Sequence, residues 1–192
     1  AIASEGTLGI VVEATLKLRP VIEGVVPTIG VFFDSIEQAA AAAAAITAGG
    51  LHPAIMELLD RRMLEAVTAF TGIDFAAQGN AYLLVQTDGP LALPDAECIL
   101  TIATGIGGRG ELTTDPEHAA SLVDVRRKGF PALEAMGSTL VEDVAVPRDR
   151  MVEMFAAIEE IEARYEVTIA VPAHAGDGNL HPTFVFPGDP NE

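Results

Sequence analysis

The chain has 192 residues, with 28 acidic side chains against 11 Lys and Arg and a formal net charge of −17. That sign excludes a nucleic-acid backbone or an anionic membrane surface as a natural partner. Hydrophobic residues make up 49%, enough for one sizeable domain or two small ones. No apolar run reaches the ~18 residues of a membrane helix; the longest, Ala39 to Ala48, is mostly alanine and ends in Gly49-Gly50. The lone cysteine, Cys98, rules out an internal disulfide and fits a reducing, cytoplasmic compartment. It lies in an apolar stretch and reads as a small core residue. No signal-peptide pattern is present.

In chain order, Ser4-Glu5-Gly6-Thr7-Leu8-Gly9 is a short Gly-rich loop. It can bring bare backbone against an anion, or it is an ordinary turn. Gly9 to Arg19 alternates, with Ile10, Val12, Ala14, Leu16 and Leu18 on one face, which predicts a half-buried strand closed by Pro20. Val26 to Phe33 reads as a strand. Ser35 and Gln38 form a capping box for a helix that ends at Gly49-Gly50. Ala54 to Leu59 is a second strand, and Arg61 to Phe70 a short helix stopping near Gly72. Ala81 to Thr87 is a third strand, Pro94 to Thr104 a helix, and Gly110 to Thr114 a fourth strand. Apart from the extra helix this is β-α-β-β-α-β, the ferredoxin-like order. Gly105, Gly107 and Gly110 satisfy G-x-G-x-x-G, but a helix precedes them and a strand follows. That is the reverse of a dinucleotide fingerprint, so they read as a helix end and turn.

Beyond Asp115-Pro116, residues Glu117 to Ala135 look helical. Ser138 to Val146 reads as a strand. Pro147 opens a helix whose apolar stripe is Met151, Met154, Phe155, Ile158, Ile161 and Tyr165. The expected fold class is therefore α+β: ferredoxin-like units, each an antiparallel sheet with helices on one face. The first spans about 21–115. The second, about 116–192, lacks its last helix and strand, and its open sheet edge would invite a homo-oligomer.

The stretch with most chemistry is Pro172-Ala173-His174-Ala175-Gly176-Asp177-Gly178-Asn179-Leu180-His181-Pro182. It joins two apolar runs, Val167 to Val171 and Thr183 to Phe186, through Asp-Gly, a hairpin signal. With Asp177 and Gly178 at the centre of a two-residue turn, His174 faces His181 on one side of the ladder. Two imidazoles so placed can share a divalent metal such as zinc, or they stack on a polar hairpin and face water. Two ligands fall short of the usual three. Glu142 and Asp143, on a strand that can lie beside the hairpin, are candidates for another. Arg126, Arg127 and Lys128 form the densest basic cluster; a carboxylate substrate calls for an arginine fork. His52 and His118 read as structural or surface residues.

Two motifs carry a resemblance. H-A-G-D-G-N-L-H-P resembles the signature near the end of FAD-linked 2-hydroxyacid oxidoreductases, among them glycolate oxidase flavin subunits, D-lactate dehydrogenases and D-2-hydroxyglutarate dehydrogenase. A-S-E-G-T-L-G-I-V-V-E-A-T-L-K-L-R-P resembles the last loop and strand of their flavin domain. The resemblance implies residues 1–20 as the end of that FAD-binding domain and 21–192 as the C-terminal domain. It places FAD contacts on Ser4, Glu5, Gly6, Thr7 and Gly9, and metal ligands on His174 and His181. It places the substrate-carboxylate arginine on Arg126, counted back from Phe130-Pro131. Where the family often has Trp, three residues before that arginine, this chain has Val123, so Arg127 stays an alternative. A family asparagine two residues after the second histidine touches substrate; here it is Thr183. The family's third ligand and catalytic histidine belong to a G-E-H-G-like motif that these residues do not contain. The implied partners are a small 2-hydroxy acid, with hydride passing to FAD, and the remainder of the parent chain. A ferredoxin-like binding module without redox chemistry and a metal-dependent hydrolase are the other readings.

Overall fold

The computed structural model describes residues 6–18, 23–186 and 188. The first half forms β1 (Thr28–Phe33), α1 (Ile36–Ala48), β2 (Ile55–Leu59), α2 (Arg61–Thr71), β3 (Ala81–Gln86), α3 (Ala92–Gly105) and β4 (Arg109–Thr113). The strands pair antiparallel in the order β4-β1-β3-β2. This is the expected β-α-β-β-α-β unit with α2 inserted.

Local chemistry sets the boundaries. Ser35 Oγ accepts the Gln38 N–H at 3.3 Å, but Gln38 Oε1 is buried without a partner, so only half of the capping box forms. Asp60 caps α2, and Gly72 closes it in the left-handed region at φ 72°. Gly105 and Gly107 end α3 and turn into β4, with Gly107 at φ 103°; the glycine pattern there is a helix end. Cys98, expected in the core, is exposed on α3, because its helix buries Ala96, Ile99 and Ala103 instead.

Helices cover both faces of the sheet, not one. Ile29, Val31, Phe33, Leu83 and Val85 pack under α1 and α3. Tyr82 and Leu84 point the other way, under α2 and the helices that follow. Strands apolar on both sides need cover on both sides.

The second half forms α4 (Pro116–Arg127), α5 (Gly129–Glu134), β5 (Ser138–Val141), β6 (Val144–Ala145), a 3-10 turn (Arg148–Arg150), α6 (Met151–Tyr165), β7 (Thr168–Ala170), β8 (Pro172–His174), β9 (Asn179–Leu180) and β10 (Thr183–Phe186). The single helix expected over Glu117 to Ala135 is broken at Lys128-Gly129; Pro131 lacks the N–H and crowds the carbonyl that a continuous helix would use. The single strand expected over Ser138 to Val146 is also two. β5 joins β10 and β7 in a small three-stranded sheet, whereas β6 pairs with β9 at the edge of the main sheet. Strands β8, β9 and β6 extend the main sheet to seven strands beyond β2. Helix α6 buries Met151, Phe155 and Ile158, while Ile161 and Tyr165 stay exposed.

The expected strand at Gly9 to Arg19 does not form among residues 6–18. They lie outside any sheet, and Ile10, Val12, Leu16 and Leu18 are exposed. Alternation supplies a face, but a strand also needs a neighbour to satisfy its backbone, and no described strand pairs with it. Ser4, Glu5 and Arg19 lie outside the described residues.

Helix α4 is seated on the sheet by one close approach. Tyr82 Oη donates to the Leu122 carbonyl at 3.0 Å by passing over Gly30, where any Cβ would sit 2.5 Å from that oxygen. This seats α4 over β1, and Arg126, one turn further along the helix, reaches Glu57 on β2.

Candidate metal and substrate site

The hairpin switches sheets along its length. Its base, β7 with β10, belongs to the small sheet; its tip, β8 with β9, belongs to the main one. The turn is four residues, Ala175 to Gly178, and His174 stands opposite Asn179 rather than His181. The expected two-residue turn is thus corrected. The His174 carbonyl accepts the N–H groups of both Asp177 and Gly178, at 3.2 and 3.1 Å. Asp177 Oδ1 accepts the Asn179 N–H at 3.1 Å, so Asp-Gly fills the last half of a longer turn. Gly178 leaves it at φ 84°, where a Cβ would collide with the Val146 carbonyl.

The histidines still share a face, because the strand period is two and His181 lies two residues past Asn179. They are diagonal neighbours: ring centroids 4.9 Å apart, planes at 88°. His181 also continues the ladder, donating its N–H to the Pro172 carbonyl at 2.9 Å.

Each ring is oriented by a carboxylate. His174 Nδ1 lies 2.6 Å from Glu57 Oε1, and His181 Nδ1 lies 2.8 Å from Asp143 Oδ1. Asp143 reaches it because β5 and β6 part at Glu142-Asp143; Asn179 Nδ2 also donates to Asp143 Oδ1, at 3.3 Å. With Nδ1 donating, a neutral imidazole keeps its lone pair on Nε2. Among the described residues, no hydrogen bond uses either Nε2, and no cluster of three or more His, Cys, Asp or Glu has metal-holding geometry. Asp143 therefore sits behind a ring nitrogen, as an orienting partner. Glu142 bonds through its backbone N–H to Pro182.

Glu57 is the residue that sequence reasoning missed. It faces α4 from the middle of β2, where Met56 and Leu58 on the other side enter the core. Its other oxygen, Oε2, accepts Arg126 Nε at 2.9 Å, and the two side chains are only 14% and 18% exposed. One signal was available: a lone charge in the middle of the apolar run I-M-E-L-L. Arg126 and Arg127 both line a cleft of ≈ 790 Å³ between α4 and the β2-β3 pair, together with Glu57 and His174. Ile55, Leu84 and Val123 supply its apolar wall. Arg126 is the tethered arginine and Arg127 the exposed one.

The remaining candidates fall elsewhere. Thr183 is fully buried in β10, its hydroxyl donating to the His181 carbonyl at 3.0 Å, and it does not line the cleft. Gly6, Thr7 and Gly9 are exposed, Gly6 at φ 79°. His118 pairs on the surface with Glu111 at 3.1 Å.

Beneath the hairpin, Asp60 joins the two halves. Its Oδ1 accepts the Met63 N–H and its Oδ2 the Val171 N–H, both at 2.9 Å. Burial pushes its carboxyl up to about 7 against the pull of those two donors. No helix of the described residues is long and apolar enough to cross a membrane.

Comparison with known proteins gives this arrangement a family. The chain is 37% identical over 186 residues to the glycolate oxidase subunit GlcD of Bacillus subtilis, covering 95% of this chain and 39% of that relative. It is 30% identical over 192 residues to the D-lactate dehydrogenase of Anaerostipes hadrus, covering 94% of this chain and 40% of that relative. It thus spans about two fifths of these curated relatives. In fold it is similar to alkyldihydroxyacetonephosphate synthase, with TM-score 0.62 and 18% identity over 94% of this chain and 40% of that one. It is also similar to p-cresol methylhydroxylase, with TM-score 0.56 and 10% identity over 85% of this chain and 39% of that one. Residues 23–192 match the family described as FAD linked oxidases, C-terminal domain, and the chain belongs to that family.

Proposed function

We propose that this chain is the substrate-side domain of a flavoprotein that oxidises a small 2-hydroxy acid, glycolate or D-lactate or a close analogue, to the 2-keto acid. The observation that carries the reading is the pair of histidines 4.9 Å apart, each backed at Nδ1 by a carboxylate, one of them beside an arginine in an open cleft. Carboxylate–histidine pairs with free Nε2 atoms are the donor set that binds a divalent ion such as zinc. The residues present fit that group, with His174 and His181 as two of its ligands. Arg126 offers its unused Nη edge to the substrate carboxylate. The clamp and His174 at one end of the cleft, with His181 beside that ring, orient the hydroxyl-bearing carbon.

When bound, FAD would accept the hydride from the 2-carbon, a metal would draw charge from the hydroxyl oxygen, and the hydroxyl proton would leave to a base. The protein's own residues bind the carboxylate, fix the ring tautomers and line the cleft with apolar groups. The names of the GlcD and D-lactate dehydrogenase relatives support the substrate class. We assign residues 1–20 to the end of the flavin domain and 21–192 to this one; the family match beginning at residue 23 supports that boundary. FAD contacts at Ser4, Glu5, Gly6, Thr7 and Gly9 belong to the same proposal.

The test is anaerobic mixing of the full-length flavoprotein with glycolate or D-lactate. Bleaching of the flavin absorbance is expected. It should be lost on chelation, restored by zinc, and not restored in His174→Ala or His181→Ala. A flavin that stays oxidised with every 2-hydroxy acid tried, in metal-replete protein, refutes the reading.

A further inference from the structure

We propose that Glu57 is a positioning residue shared by the carboxylate clamp and the metal-side histidine, so that with only one acceptor oxygen left it can hold one of the two but not both. This rests on the function proposed above, and goes beyond it in naming what couples the two halves of the site.

The geometry is specific. One carboxylate spans His174 Nδ1 at 2.6 Å and Arg126 Nε at 2.9 Å. Glu57 stands directly opposite His174 in the β2–β8 ladder, so their Cβ atoms are ~5 Å apart by strand pairing alone. Strand β2 is paired on its other edge with β3, which denies it freedom to shift. Arg126 is brought in from above by α4, and its guanidinium carbon lies 6.0 Å from the Phe130 ring centre. Glu57 takes only the Nε–H of Arg126. The Nη1 and Nη2 donors remain as a fork for an incoming carboxylate.

Each oxygen has its own donor, and the donors have different duties. The bond to His174 keeps its proton on Nδ1 and its lone pair on Nε2, toward the metal position. The bond to Arg126 fixes the plane of the fork. An amide at this position has one acceptor and one NH₂ donor. In Glu57→Gln the NH₂ must therefore face one of two N–H groups. Facing His174, it drives the ring proton to Nε2 and blocks ligation. Facing Arg126, it unseats the clamp. A pair that only neutralised charge for folding would not show this competition.

A double-mutant cycle on the full-length protein reads it out. Zinc affinity is measured by chelator competition, with KM and kcat for the hydroxy acid and thermal unfolding alongside. Glu57→Gln alone is expected to weaken zinc ~10- to 100-fold and to raise KM. In an Arg126→Ala background the amide oxygen is free to turn to His174, so the same change should cost zinc affinity less than about threefold, judged against that range. Glu57→Asp keeps the charge on a side chain too short to span both partners; it should show the same joint loss, and it serves where the amide does not fold. Equal zinc losses in both backgrounds, or unchanged affinity in Glu57→Gln, overturn the inference while leaving the metal reading intact. A wild-type protein whose zinc binding ignores His174→Ala overturns the proposed function and this inference with it.

Discussion

Asp143 and His181 are joined at 2.8 Å because the chain breaks its strand at Glu142-Asp143: β5 ends at Val141 and β6 begins at Val144. Asp143 is 69% exposed on its side chain, whereas Glu57 behind the other ring is 14% exposed. Water screens the first pair and can replace its acceptor. Asp143→Ala should therefore weaken zinc by about tenfold or less, the low end for partners behind a ligand. With zinc saturating it should leave KM for the hydroxy acid unchanged, since Asp143 bonds His181 and Asn179 and neither lines the cleft beside Arg126. Chelator competition and steady-state kinetics check both halves of that statement.

The two candidate arginines make opposite predictions. Arg126 is tethered to Glu57 and lines the cleft with His174, while Arg127, on the same helix turn, lines it as an exposed side chain. A hydrogen-bonded charge pair contributes roughly 1.5–3 kcal/mol, so Arg126→Ala should lower kcat/KM by roughly 10- to 100-fold. Arg127→Ala should lower it only a few-fold, through long-range attraction that fades with salt. A loss confined to Arg127→Ala would move the clamp by one residue.

What the sequence made legible is local. The strand, helix and cap signals between Val26 and Thr114 follow neighbours a few residues apart, and the β4-β1-β3-β2 sheet grew from them. The site's partners are remote. Glu57 and His174 are 117 positions apart, and no periodicity in I-M-E-L-L says that β8 will dock on β2. The split of Ser138 to Val146 was hidden for the same reason: which sheet a strand joins is decided by the hairpin that arrives later in the chain. The His-Asp-Gly-His pattern placed both imidazoles on one face, but it could not count turn residues, because the Asp177 side chain competes for the backbone.

The four-residue turn separates its two glycines. At Gly178 a Cβ would lie 2.2 Å from the Val146 carbonyl oxygen, and φ is 84°. At Gly176 the nearest atom is Met56 Cβ at 3.8 Å, an ordinary contact. Gly178→Ala should then cost about 1–3 kcal/mol, the scale of strained backbone, and weaken zinc by displacing the hairpin tip. Gly176→Ala should be near neutral in urea denaturation. Had the turn been Asp177-Gly178 alone, Gly176 would belong to the ladder instead.

Asp60 sets a pH dependence of stability. In the unfolded chain its carboxyl titrates near 3.8; in the fold burial raises it to about 7. Between those values the folded protein holds a proton that the unfolded chain has released. By linkage, this contribution makes the fold less stable as pH rises from about 4 to about 7, and it is constant above and below that window. The cost at higher pH is a buried anion that two backbone N–H groups only partly compensate. Asp60→Asn keeps the shape and the cap on α2 but cannot titrate. Urea denaturation of both proteins across pH 4.5 to 7.5 removes every titration they share, leaving Asp60 in the difference. Wild type should lose stability relative to Asp60→Asn as pH rises, with most of the change complete by about pH 7. A difference that runs the other way would mean that the donors of Met63 and Val171 outweigh burial and hold Asp60 as an anion in the fold.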